Sequence, residues 1–282
     1  MTVSSNLFAF DRDTLRAIAE RESRGYASAR PFPHVVLDDL VPPAIIDACV
    51  QEFPGVDAIR WERFTDGGRT EKLATNDERD MGPVTRQLIR EMNSRDFISF
   101  LEALTGISGL VPDPHLLGGG LHLIEPGGFL ELHADFNRHP HLALDRRLNL
   151  LLYLNDGWRD EWRGHLELWD RDRRERVSRI APIANRCVVF STTDDAVHGH
   201  PEPVASPPGT TRKSIALYYY TAGRPERERS PDHSTIYLSG GSIASPKTTG
   251  NRSRVRSLAH ALLPPILTAT IQRWRRRRAA SS

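Results

Sequence analysis

FLELHAD, from Phe129 to Asp135, is the stretch on which the reading of this chain turns. In an extended strand, side chains two residues apart project to the same face, so His133 and Asp135 emerge together. A neutral imidazole and a carboxylate at that spacing can take adjacent positions on one metal ion. The pair alone is a weak signal, because a solvated strand end produces His-x-Asp equally well. Its weight comes from what surrounds it.

From about Leu110 to Thr221 the chain is a succession of short strand signals divided by Gly, Pro and Asp. GLHLIEP (120–126), FLELHAD, RLNLLLYLN (147–155), GHLELWD (164–170), NRCVVFST (185–192) and RKSIALYYYT (212–221) each read as a strand. Six or more strands in such a span predict a sandwich, jelly roll or barrel. About 65 residues beyond His133, VVFSTTDDAVHGHPEPV (188–204) runs from an apolar strand into a loop bearing His198 and His200. A histidine from there would complete a two-histidine, one-carboxylate set, which leaves three coordination positions open on a ferrous ion. Zinc uses the same ligand types, so the donors by themselves leave the metal open.

In TRKSIALYYYT (211–221), Arg212 and Ser214 again share one face, whereas Lys213 does not. A guanidinium beside a hydroxyl suits a buried carboxylate, which arginine grips bidentately. Tyr153, on the RLNLLLYLN strand, offers a further hydroxyl. The bland alternative for Arg212 is a surface residue entering an edge strand.

Taken in order and spacing, these segments resemble the 2-oxoglutarate/Fe(II) dioxygenases, in particular their prolyl 4-hydroxylase-like branch. The resemblance runs from about Gly118 to Thr221, through GGFLELHADFN (127–137), RRLNLLLYLN (146–155), GHLELWD, APIANRCVVFSTTDDAVHGHPEPV (181–204) and the R-x-S strand. It implies a mainly β fold with flanking helices, a double-stranded β-helix (jelly roll). It assigns His133, Asp135 and His198 to Fe(II), and Arg212, with Ser214 and Tyr153, to the C5 carboxylate of 2-oxoglutarate. The family's pattern of His, a short spacer and Pro-Val favours His198 over His200 as third ligand. Related halogenases replace the carboxylate ligand by a small residue, so Asp135 argues for hydroxylation. The implied reaction is hydroxylation of an unactivated C–H by dioxygen, releasing succinate and CO2, with ascorbate as reductant. Peptidyl proline, an amino acid, a glycan and a small natural product all stay open as substrates. Two competing readings are a catalytically silent jelly-roll binding or sensing module and a zinc hydrolase.

The remainder of the 282 residues is organised around this core. Residues 1–110 are expected to be a mixed helical region packing on it, with helices at 11–30 and 43–53 and helical spacing over 83–106. Residues 111–222 form the core, and 223–256 read as irregular. Residues 257–282 form a basic amphipathic tail. Nine basic and no acidic residues lie beyond 232, which leaves 1–232 at about −7 against +2 for the whole chain. An acidic body argues against a nucleic-acid track. The 257–278 stretch raises peripheral contact with an anionic membrane, on equal terms with a solvated basic tail. No secretory layout or membrane-spanning stretch is legible, and Cys49 and Cys187 stand isolated, so a reducing cytoplasm is expected. His139 and His141 read as a solvated loop. Arg138, Arg146 and Arg147 are candidates to meet an anionic substrate. Gly118–Gly120 reads as close backbone packing.

Overall fold

The computed structural model describes residues 9–239, except 66, 67, 69, 70 and 173, together with 242 and 243. The basic tail at 257–282, for which membrane contact and a solvated tail stand on equal terms, lies outside the described residues. Among those described, no helix is long and apolar enough to cross a membrane.

Four helices precede the main run of strands: α1 (Arg12–Ser28), α2 (Pro43–Gln51), α3 (Pro83–Met92) and α4 (Arg95–Thr105). Several boundaries have a local cause. Asp11 accepts the Thr14 amide at the start of α1. The helical spacing over 83–106 resolves into two helices because Ser94 caps a fresh N-terminus through the Phe97 amide. That second helix then stops at Gly106, whose left-handed φ of 71° suits glycine.

The strands are β1 (His34–Asp38), β2 (Glu62–Phe64), β3 (Lys72–Thr75), β4 (Val111–Pro112), β5 (Gly120–Ile124), β6 (Leu130–Ala134) and β7 (Asp145–Tyr153). They continue as β8 (Leu166–Asp170), β9 (Glu175–Ile180), β10 (Arg186–Ser191), β11 (Val197–His200), β12 (Arg212–Thr221), β13 (Ile236–Ser239) and β14 (Ser242–Ile243). A major sheet runs β1-β10-β7-β12-β5-β3-β2, with β4 on β12, and a minor sheet runs β14-β13-β6-β11-β8-β9. All described pairings are antiparallel, giving the double-stranded β-helix.

Alternation along the major sheet separates two environments. Leu73, Leu123, Leu150, Leu152, Val189 and Ile215 belong to one apolar cluster with α1 to α4. Each fully buried leucine of that layer contributes about 1.5–3 kcal/mol. The opposite face carries polar residues in register: Ser214 sits opposite Tyr153 on one side and His122 on the other, and His122 opposite Ala74. That face is the inside of the jelly roll. Gly120, at φ 86°, shows why small residues occur at 118–120, since a Cβ there would lie 2.2 Å from the Thr75 carbonyl oxygen.

Three expectations change. The N-terminal region supplies β2 and β3 to the major sheet, in addition to the packing helices and to β1, which falls on the apolar strand expected within PFPHVVLDDLVPP (31–43). Short edge strands with few apolar residues leave little alternation to read. The 223–256 segment, expected to be irregular, contributes β13, where Ile236 and Tyr237 pair with Ala134 and His133. His198 and His200 lie on β11 rather than in a loop.

Candidate metal and co-substrate site

His133 and His198 are direct cross-strand partners on β6 and β11. Their rings stand 4.4 Å apart between centroids. Asp135, just past β6, brings Oδ1 to 3.7 Å from His133 Nε2 and Oδ2 to 3.5 Å from His198 Nε2. One donor atom from each of the three lies within 4.8 Å of the others, and among the described residues this is the group so arranged. His133 Nδ1 is 2.8 Å from the Glu131 carbonyl and His198 Nδ1 is 2.9 Å from that of Ala196. A carbonyl only accepts, so both Nδ1 atoms carry the proton and both Nε2 atoms keep a lone pair beside Asp135. The donor set fits a divalent metal with open positions.

Burial alone would raise the Asp135 carboxyl, but Arg146 and the two imidazoles outweigh it and hold it well below the usual carboxylate range. Burial, helped by His133 and opposed by Asp135, pushes the His198 imidazole down to about 4. Both groups are therefore in their metal-binding protonation states at neutral pH.

A bulge shapes this corner. Between the His198–His133 and His200–Leu130 pairs the register slips by one residue. The backbones close up there, and a Cβ on Gly199 would lie 2.8 Å from the carbonyl oxygens of Leu130 and Glu131. His198 and His200 both line the same cavity, of about 700 Å³. His200 stands outside the trio, with its buried Nδ1 lacking a hydrogen-bond partner among the described residues.

Arg212 reaches the cavity from the facing sheet, 5% exposed. Its Nε donates to the Gly164 carbonyl at 2.6 Å, and Nη2 lies 3.4 Å from the Tyr153 hydroxyl. No carboxylate lies within ion-pair distance of it among the described residues. Burial lowers its pKa, the cost of enclosing a cation without an anion. Ser214 lines the cavity beside it, and Tyr153 is fully buried in the next strand. Lys213 takes the opposite face, with Nζ 5.6 Å from the Phe53 ring under the helices. The pattern of one buried, uncompensated guanidinium and two hydroxyls fits a ligand carboxylate.

Several expected roles move. Arg146 points at Asp135 rather than at a substrate, with Nη2 3.1 Å from Oδ2 and the guanidinium between the rings of Tyr218 and Phe136. Arg147 pairs with Glu228, and Arg138 approaches Asp145 and Asp232. His139, expected in a solvated loop, is buried, with Nε2 3.4 Å from Asp113. Trp158 and Trp162 pack edge to face. Sequence reasoning missed Asn149, Gly199, His122 and Lys72. Asn149 left a trace, as an amide inside the apolar run of RLNLLLYLN and in phase with Tyr153; the other three left none.

The model of the 2OG-Fe(II) oxygenase superfamily matches residues 119–220. Among solved structures, the chain is similar to the non-heme alpha-ketoglutarate-dependent epimerase SnoN from nogalamycin biosynthesis, at 17% identity and TM-score 0.52. That match covers 83% of this chain and 90% of the epimerase, and it supports the fold. A prolyl hydroxylase from Trichoplax adhaerens, crystallised with a peptide fragment of hypoxia inducible factor, matches at 16% identity and TM-score 0.49, covering 77% and 93%. A prolyl-4-hydroxylase from Pseudomonas putida matches at 17% and 0.46, covering 72% and 99%. No curated protein matches the chain.

Proposed function

With residues 119–220 forming the core of a 2OG-Fe(II) oxygenase, we propose that this 2-oxoglutarate-dependent oxygenase hydroxylates an unactivated C–H of its substrate. His133, Asp135 and His198 hold the iron, and Arg212, Tyr153 and Ser214 hold the distal carboxylate of 2-oxoglutarate. The observation that carries this reading is the pairing of two features across one cavity. The histidine-carboxylate trio stands on the minor sheet, and an unpaired buried arginine stands on the major sheet.

Bound iron supplies an open coordination sphere at which dioxygen and a 2-oxo acid react. The chain's own residues do the rest. Glu131 and Ala196 carbonyls fix the imidazole tautomers, so that Nε2 of each ring faces the metal. Asn149 and Arg146 orient the Asp135 carboxylate by its Oδ2. Arg212 and Tyr153 anchor one end of the co-substrate, which sets the distance of its keto acid end from the trio. Leu151, Leu166 and Ile124 line the same cavity and limit water around the reacting groups. Ascorbate is the proposed reductant that keeps the metal ferrous.

The test is anaerobic addition of Fe(II) and then 2-oxoglutarate, read by the charge-transfer absorbance of the complex, followed by succinate release on admitting oxygen. A silent binding module would show the absorbance without succinate. A zinc hydrolase would purify with zinc and show neither. Full succinate release by a His133→Ala variant would sink the ligand assignment.

A further inference from the structure

Lys72 stands on the inner face of the major sheet. Leu73 pairs with Leu123 on the helix-packed side and Ala74 with His122 on the inner side, so alternation sends Lys72 inward. It lines the cavity that contains His133, Asp135 and His198. Among the described residues no carboxylate lies within ion-pair distance of its ammonium. Of the carboxylates nearby, Arg63 on β2 takes both Glu71 and Glu125, and Asp135 has Arg146 and Asn149; Glu62, opposite Ala74 on β2, attracts the ammonium from beyond ion-pair distance. The one described companion is an aromatic face, with Nζ 5.1 Å from the Phe64 ring centroid.

A lysine usually carries its charge out to water along an apolar stem. This one is half-buried against the cavity wall, and burial pushes its amine down to about 8, against the pull of Asp135 and Glu62. A cation enclosed on the wall of a cavity is costly unless something anionic enters. Arg212 lies two strands away, with β5 between. At roughly 4.8 Å per strand the two backbones are about 10 Å apart, so each cation has room for its own anion.

We propose that Lys72 binds an anionic group of the substrate, a carboxylate or a phosphate, and so selects substrates that carry one. This rests on the oxygenase reading, in which Arg212 is taken by 2-oxoglutarate and Lys72 is left for the second reactant.

The test uses wild type, Lys72→Met and Lys72→Arg, each loaded anaerobically with Fe(II) and 2-oxoglutarate. Each is titrated calorimetrically with acetate and with inorganic phosphate. At least one anion is expected to bind wild type and the arginine variant, and to bind the methionine variant tenfold or more weaker, with the affinity for 2-oxoglutarate the same in all three. A purely structural lysine would not give rescue by arginine in anion binding alone. Tighter acetate marks a carboxylate substrate, and tighter phosphate a phosphorylated one. Equal anion binding by wild type and the methionine variant, or none by wild type, overturns the proposal while leaving the oxygenase reading in place. Absence of the 2-oxoglutarate absorbance in wild type would instead remove that reading and this proposal with it.

Discussion

Asn149 donates a 2.7 Å hydrogen bond from the major sheet to Oδ2 of Asp135 beside the minor sheet. It ties the carboxylate to a strand that carries none of the three donors. Arg146 approaches the same oxygen, and its guanidinium also donates to the Asn149 side-chain oxygen at 2.9 and 2.7 Å. Asn149→Leu is therefore expected to weaken divalent-metal binding by about 10–100-fold, the usual cost of losing an outer partner. Titration of the apoprotein with Co(II), followed by its visible absorbance, measures this.

Arg212 has no anionic partner among the described residues, so its removal should cost co-substrate binding directly. Arg212→Leu is expected to weaken 2-oxoglutarate binding by about 2 kcal/mol or more, roughly thirtyfold. Arg212→Lys should recover only part, because an ammonium cannot reproduce the bidentate fork. Anaerobic titration of the Fe(II) protein reads both.

The trio and the register separate the two histidines of β11. His198→Ala should abolish stoichiometric metal binding, while His200→Ala should keep it. Metal content after dialysis against Fe(II) distinguishes them, and retention of metal by the His198 variant would move the third ligand elsewhere.

Gly199 sits where β6 and β11 close around their bulge. Gly199→Ala should destabilise the fold by about 1–3 kcal/mol through overpacking against backbone that cannot retreat. Metal affinity should fall with it, since the alanine displaces the strand carrying His198. Thermal unfolding with and without Co(II) provides the measurement.

The strand opposite His133 is fastened through His233, whose Nε2 lies 2.9 Å from Asp194 Oδ1. Burial pushes the His233 imidazole down, but hydrogen bonds to Asp194 and Ser234 outweigh it, so its pKa stands above the ordinary 6.5. Stabilisation from a raised histidine is complete below about 6.5 and is lost as pH rises through the raised value. The hydrogen bond from His233 holds Asp194 below its ordinary 3.8, and that contribution is lost as pH falls through the lowered value. Hydrogen exchange at Ile236 and Tyr237, corrected for intrinsic rates, should therefore show most protection on the acidic side of neutrality and less above it. His233→Gln should flatten the profile.

Much of the fold was legible because each of the six core strands contains a run of alternating or continuous apolar residues long enough to read alone. The same two-residue period placed His133 with Asp135, and Arg212 with Ser214 but not Lys213. It could not reveal β2 and β3, a short pair of which β3 joins a distant β5, nor β13, whose partner lies about 100 residues earlier. Arg146 shows the limit most clearly. Its charge and position beside the metal strand suggested a substrate contact, and only the packing of β7 against the end of β6 turns it onto Asp135.

By itself the sequence determined which residues share a face, and hence the pairs from which a metal and carboxylate site is assembled. Side-chain period is a local property of an extended backbone, and it holds wherever the strand ends up. The tertiary structure decided which pairs meet. It set His198 opposite His133, gave Asp135 its partners on the facing sheet, and left Arg212 and Lys72 without a carboxylate within ion-pair distance among the described residues. Those outcomes depend on sheet register and on the exclusion of water between two layers, and neither is encoded in any single segment.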